Sequence, residues 1–305
     1  MLCLVVGFSA TPWPGGPFED MAGADGAPAC FGAAARDPDK PCVNRKLAFK
    51  AMPSPRNALL QPSAPCTVIR RKAPEVCAFG VSPKVAAPTV ALLGDSHAVH
   101  WRAALAVAAR TDRWRGVSIT RSRCPFSLAK KPSRRCIGWV RRVLLWLEDH
   151  PDVRTVFVSA DSASGVSATP DQFEATKIGG FIRAWKALPP SVSEVFVLHD
   201  VPNNGKTTAG CVERAVARHR NAGVRCARPR GTALRTDHQA VAAAQSASDR
   251  AELIDLTPHM CDEQKCFPVV GGALVIKDVG HLTRTFSTTL GLYLRRAVSR
   301  LRAPP

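Results

Sequence analysis

Five short apolar runs, each followed by a segment of helical or turn character, set what this chain can fold into. The runs are Thr89–Leu93, Val117–Thr120, Thr155–Ser159, Glu194–Leu198 and Glu252–Leu256. Strands apolar on both faces belong to sheets covered on both sides, and strands that alternate with helices belong to parallel sheets. After the first run, Trp101, Leu105 and Ala109 recur at helical spacing, and Ile137–Leu147 repeats the pattern with Val140, Val143, Leu144 and Leu147. Phe173–Leu188 is predicted helical up to Pro189-Pro190, Thr236–Arg250 is an Ala-rich helix, and a last helix is predicted from Arg284 to Leu301. Phe267–Val270 and Ala273–Ile276 flank Gly271-Gly272 as a hairpin. The expectation is an α/β fold with a central parallel sheet of about five strands between two helical layers.

The region before Thr89 reads differently. Met1–Ala10 is apolar but lacks a preceding Lys or Arg, and it is shorter than the roughly 20 residues that cross a bilayer. Thr11–Pro28 is a linker rich in Pro and Gly, and Ala29–Val85 shows many prolines and little periodicity. The predicted division is an apolar tail and linker over 1–28, an irregular Cys-rich extension over 29–86, and a catalytic-type domain over 87–303.

Eleven cysteines bear on compartment. Beyond Cys3 they fall into five near neighbours: Cys30 with Cys42, Cys66 with Cys77, Cys124 with Cys136, Cys211 with Cys226, and Cys261 with Cys266. Spacing alone does not fix connectivity, but pairing in order is the simplest arrangement. None has the Cys-x-x-Cys spacing of zinc or thioredoxin motifs, so neither metal nor cofactor is expected. A disulfide set implies an oxidising, extracytoplasmic compartment, each bridge adding roughly 2–4 kcal/mol. The formal charge of +18 invites nucleic acid as a partner, yet the Arg residues are scattered and no nucleic-acid module is present, so that partner is not expected.

The chemistry-bearing residues lie near the two ends of the α/β pattern. Gly94-Asp95-Ser96-His97 stands where the first strand turns into a helix, a position that lifts a side chain to the carboxyl end of a sheet. Taken alone, Ser96 is an N-cap. Asp278-Val-Gly-His281 lies near the other end, and alone it is a polar turn opening a helix. Together they offer a serine, an imidazole to take its proton and a carboxylate to orient the imidazole. His97, His100, His199 and His259 have no such partner at this spacing, and His97 reads as a pocket wall or helix-start residue.

These two blocks resemble the first and last blocks of SGNH-fold (GDSL-type) esterases and acyltransferases. Arg121-Ser-Arg-Cys-Pro125, Asp200-Val-Pro202 with Cys211, Ile254-Asp-Leu-Thr257 with Cys261 and Cys266, and Asp278–Thr283 are similar to one branch, the SGNH domain at the end of acyltransferase-three-type membrane proteins. The resemblance covers about Ala29 to Ala303. It implies a flavodoxin-like SGNH fold with Ser96 as nucleophile, His281 as general acid/base and Asp278 as its orienting carboxylate. Gly94, Asp95, Ser122 and Ser159 are the candidates for oxyanion or substrate contacts. The wider family places a Gly after the second strand and an Asn after the third; here those places hold Ser122-Arg123 and Ser159–Ser162, with no Asn.

The resemblance further implies O-acetylation of a surface polysaccharide outside the cytoplasm, with the acyl group supplied by a membrane acyltransferase domain or partner. That membrane part is expected either on a neighbouring chain or upstream, with Met1–Ala10 as the end of its last helix. An esterase using the same triad is the first alternative, and a glycan-binding module with little catalysis is the second.

Overall fold

The computed structural model describes residues 27–303 apart from 83, 130–133, 165–169 and 247–249. Cys3 and the apolar 1–10 run lie outside the described residues. In chain order, helix α1 (Pro55–Leu60) precedes strands β1 (Thr67–Arg70) and β2 (Val76–Gly80). Then come β3 (Thr89–Gly94), α2 (Ser96–Thr111), β4 (Arg115–Thr120), α3 (Arg134–Glu148), β5 (Val153–Ser159) and α4 (Pro170–Lys186). β6 (Glu194–Leu198) and β7 (Ala251–Ile254) complete the main sheet, separated by short helices that include His238–Gln245.

The sheet order is β1-β2-β4-β3-β5-β6-β7, and the five strands from β3 onward are parallel. The chain leaves β3 for β4 on one side and returns to β5 on the other. Such a divergence opens a crevice at the strands' carboxyl ends, where ligands of open α/β sheets bind. Along the strands, alternate residues enter opposite cores, as the two-residue period dictates. Leu92, Phe157 and Leu198 meet Trp101, Leu105, Phe286 and Leu294 on one face. Leu93, Val158 and Val197 meet Trp139, Val143, Leu147 and Trp185 on the other. The result is the three-layer α/β arrangement that the apolar runs require.

Three elements depart from expectation. The extension is not wholly irregular: β1 and β2 pair antiparallel with each other, and β2 pairs antiparallel with β4. The signal was weak because β1 is exposed at every residue and so carries no apolar alternation. β2 sends only Val76 and Phe79 inward. The last helix divides into Arg284–Thr289 and Gly291–Arg302. Gly291 lets the second piece cross α2 closely, since a Cβ there would lie 2.4 Å from the Val107 Cβ. The hairpin strands are only Val269–Val270 and Ala273–Leu274.

The extension is fastened to the elements that carry the two end blocks. Buried Arg102, on α2, donates from Nε and Nη2 to the Ala64 carbonyl at 3.0 and 2.7 Å. Gln61 donates from Nε2 to Thr285 Oγ1 and accepts the Arg284 N–H at its Oε1, both at 2.9 Å. Disulfides join Cys30–Cys42, Cys66–Cys77, Cys124–Cys136, Cys211–Cys226 and Cys261–Cys266.

Candidate active site

The turn after β3 is glycine by necessity. Gly94 has φ +143°, and a Cβ on it would lie 2.0 Å from the Ser159 carbonyl oxygen. That close approach sets Gly94 level with Thr120 of β4 and Ser159 of β5. Asp95 then caps α2, its Oδ1 accepting the His97 N–H at 2.8 Å, so Ser96 begins the helix.

Ser96 Oγ lies 2.9 Å from Nε2 of His281. Nδ1 of that ring is 2.8 Å from Asp278 Oδ2, and Asp278 Oδ1 accepts the N–H groups of Gly280 and His281 at 3.0 and 2.9 Å. One carboxylate therefore shapes the turn and holds the ring. With Nδ1–H donated to Asp278, Nε2 is the acceptor that faces the serine hydroxyl. Burial raises the Asp278 carboxyl, but the ring and the two backbone donors outweigh it and hold the group well below the usual carboxylate range. The structure brings Ser96, His281 and Asp278 together from opposite ends of the domain.

The other expected contacts are placed less directly. Asp95 is fully buried and accepts the Asp161 N–H at 3.1 Å and the Ser164 hydroxyl at 3.3 Å, so it supports the loop after β5. Burial raises its carboxyl, against the His97 charge and the backbone donors. Ser159 is also fully buried, and its Oγ has no hydrogen-bond partner among the described residues. Ser122 is exposed on the loop after β4, where the Arg121 N–H donates to the Gly94 carbonyl at 3.0 Å.

Sequence reasoning missed a second imidazole–carboxylate pair. His97 Nδ1 lies 2.6 Å from Oδ1 of Asp200, the residue two beyond the end of β6. Asp200 also accepts the N–H groups of Ser162 and Val201 at 2.7 and 2.8 Å. Burial lowers the His97 imidazole, but the Asp200 hydrogen bond and charge, with Asp95 and Asp161 adding, reverse this and raise it to about 9. Asp200 in turn, raised by burial, is held low by His97 and the Ser162 N–H. A carboxylate just past a parallel strand, in the crevice position, was the available signal.

A cleft of about 380 Å³ opens beside His281 and is lined by His97, Asp161, Ser162, Asn203, Arg235 and Gly280 among others. The ring centroids of His97 and His281 are 4.9 Å apart, with His100 packed against both. His100 is held well below the usual histidine value by burial and by the neighbouring cations, so it is a neutral wall. Lys177 Nζ donates to the Ser162 carbonyl at 2.8 Å and steadies the loop. His97, Asp161 and Asp200 offer ligand-type atoms within 4.8 Å of one another. The short Nδ1 contact engages two of them as an ion pair.

A serine, histidine and aspartate in hydrogen-bonded series at a sheet's crevice have the connectivity for acyl transfer through a covalent serine ester. The fold has a solved counterpart. The periplasmic domain of a Salmonella ser. Paratyphi A lipopolysaccharide acetyltransferase superposes with TM-score 0.56 over 73% of this chain and 91% of that one, at 13% identity. No curated protein sequence matches the chain. The family model for SGNH domains fused to AT3 domains matches residues 63–295, and the chain belongs to that family.

Proposed function

We propose that this protein is an extracytoplasmic O-acyltransferase module that carries an acetyl group on Ser96 and passes it to a hydroxyl of a surface polysaccharide. The observation that carries the proposal is the Asp278–His281–Ser96 series at 2.8 and 2.9 Å, opening on a cleft. Ser96 Oγ attacks the carbonyl carbon of the acyl donor while its proton passes to His281 Nε2. The donor's leaving group departs with that proton. The acceptor oxygen then attacks the Ser96 ester, its proton passing to Nε2 and on to Ser96 Oγ. The Ser96 N–H at the start of α2 is the oxyanion donor, aided by the positive end of the helix.

Five disulfides support an oxidising compartment, and the family's fusion to AT3 domains supports a membrane acyltransferase as the source of the acyl group. No helix among the described residues is long and apolar enough to cross a membrane. The test is to incubate the protein with an activated acetyl ester and read the mass of the Ser96 peptide, then compare glycan acetylation in cells carrying Ser96→Ala. An acetyl adduct on Ser96 and lost glycan acetylation are expected. No adduct, with unchanged glycan acetylation, overturns the proposal. Free acetate as the sole product, even with oligosaccharide present, assigns the site to an esterase.

A further inference from the structure

The cleft contains a polar gap that the triad does not use. Nε2 of His97 and Oδ1 of Asp161 face each other at 3.9 Å, too far for a hydrogen bond. Both residues line the cleft. Among the described residues, Nε2 makes no hydrogen bond although His97 is only 5% exposed. A nine-tenths buried ring with one nitrogen locked and the other aimed into a cleft lacks a partner from outside the protein. Gly280 stands opposite, where a Cβ would come within 3.5 Å of that same Nε2.

One oxygen fits the gap: placed about 2.8 Å from both atoms, it makes two ordinary hydrogen bonds. The two ends demand different behaviour from it. His97 is held in its protonated form by Asp200, so Nε2–H donates. Asp161 offers a carboxylate oxygen, which accepts. An ether or carbonyl oxygen satisfies only the first, an ammonium only the second, while a hydroxyl satisfies both. The gap adjoins the triad, since the His97 and His281 rings pack with their centroids 4.9 Å apart.

Resting on the acyl-transfer reading above, we propose that His97 and Asp161 form a hydroxyl clamp for the acceptor: they hold a second hydroxyl of the sugar whose neighbouring hydroxyl attacks the Ser96 ester. The acceptor is therefore a polyol, a glycan bearing two free hydroxyls on one ring. The reacting hydroxyl forms its bond to the acyl carbon and yields its proton to His281. The clamped hydroxyl donates to Asp161, accepts from His97 and is unchanged at the end. Asp200 is the positioning residue that keeps His97 turned and charged.

The test charges the protein with p-nitrophenyl acetate and offers cyclohexanol, 1,2-cyclohexanediol or 1,3-cyclohexanediol as acceptor. The readout is acetylated acceptor relative to free acetate, a ratio set after the acyl-enzyme forms. The wild type should favour at least one diol over cyclohexanol by about tenfold, beyond the factor of two for an extra hydroxyl, as expected of a charge-assisted hydrogen bond. Asp161→Ala and His97→Gln should bring the ratio down toward that of cyclohexanol, with Asp161→Asn between, because its amide oxygen still accepts. A wild type that treats diols and cyclohexanol alike overturns the clamp alone, as does an undiminished preference in soluble, folded Asp161→Ala. A wild type that never forms acyl-Ser96 overturns the acyl-transfer reading, and the clamp falls with it.

Discussion

The domain contains two imidazole–carboxylate pairs of the same chemistry in opposite surroundings. Asp278 and His281 are three residues apart on one loop, and each side chain is about a third exposed, at 34% and 31%. His97 and Asp200 are 103 residues apart and nearly sealed, at 6% and 5%. The exposed pair leaves one nitrogen against Ser96 and can exchange protons with whatever enters. The buried pair keeps its charge whatever enters, because neither partner can lose the other without stranding an ion in the interior. A pair's environment, more than its identity, separates an imidazole open to the cleft from a fixed cation.

The comparison breaks most sharply at the exposed pair. Ser96→Ala or His281→Ala should lower acetyl-ester turnover by at least about 10³-fold, read as loss of the p-nitrophenol burst. Asp278→Asn should cost about 10²- to 10⁴-fold in the same assay, since the ring loses its tautomer and orientation while the protein stays folded. At the buried pair the loss should fall on stability: Asp200→Ala should cost about 3–5 kcal/mol, read from the urea midpoint, because His97 is left without its counter-ion. Asp278→Asn should move that midpoint far less.

The pH dependence of stability probes the two pairs from opposite sides. The folded His97 value of about 9 lies above the ordinary 6.5, so its contribution is complete below about 6.5 and is lost as pH rises through 9. The groups facing it, Asp200, Asp95, Asp161 and the neutral His100, leave that direction unchanged. The wild-type Tm should fall between pH 7 and 10, and His97→Gln should flatten the fall. Asp278 is depressed in the folded state, so its contribution is complete above the ordinary 3.8 and fades as pH drops below it. Asp278→Asn should flatten the acid side alone, in melting curves across pH 2–5. The smallest effect belongs to the rim: Ser122→Ala should change turnover by no more than about twofold, since an exposed hydroxyl is removed and the backbone N–H stays.

The same contrast explains what could be read in advance. Asp278-Val-Gly-His281 was legible because a local pair carries its geometry in its spacing. His97–Asp200 was not, since nothing in Asp200-Val-Pro202 says which histidine the third dimension will bring to it. The strands from β3 to β7 were legible because burial on both faces leaves uninterrupted apolar runs. β1 was not, because an exposed edge strand leaves no such mark. Asp95 looked like a substrate contact from its place beside Ser96, whereas the capping bond turns it inward to hold Asp161.

The fastening of the extension has a mechanical consequence. Ala64 holds the helix that begins at Ser96, and Gln61 holds the helix that follows His281. The short stretch between them braces from outside two helices that also meet directly, Ser287 Oγ donating to the His100 carbonyl at 2.7 Å and accepting the Ala104 N–H at 3.2 Å. Tension arriving through the extension reaches the serine's helix and the histidine's helix together. A chain trimmed to residue 63, where the family match starts, keeps the first anchor and loses the second. Such a trimmed chain would retain Ser96, Asp278 and His281 and the direct bonds between the two helices, and lose only the outer brace.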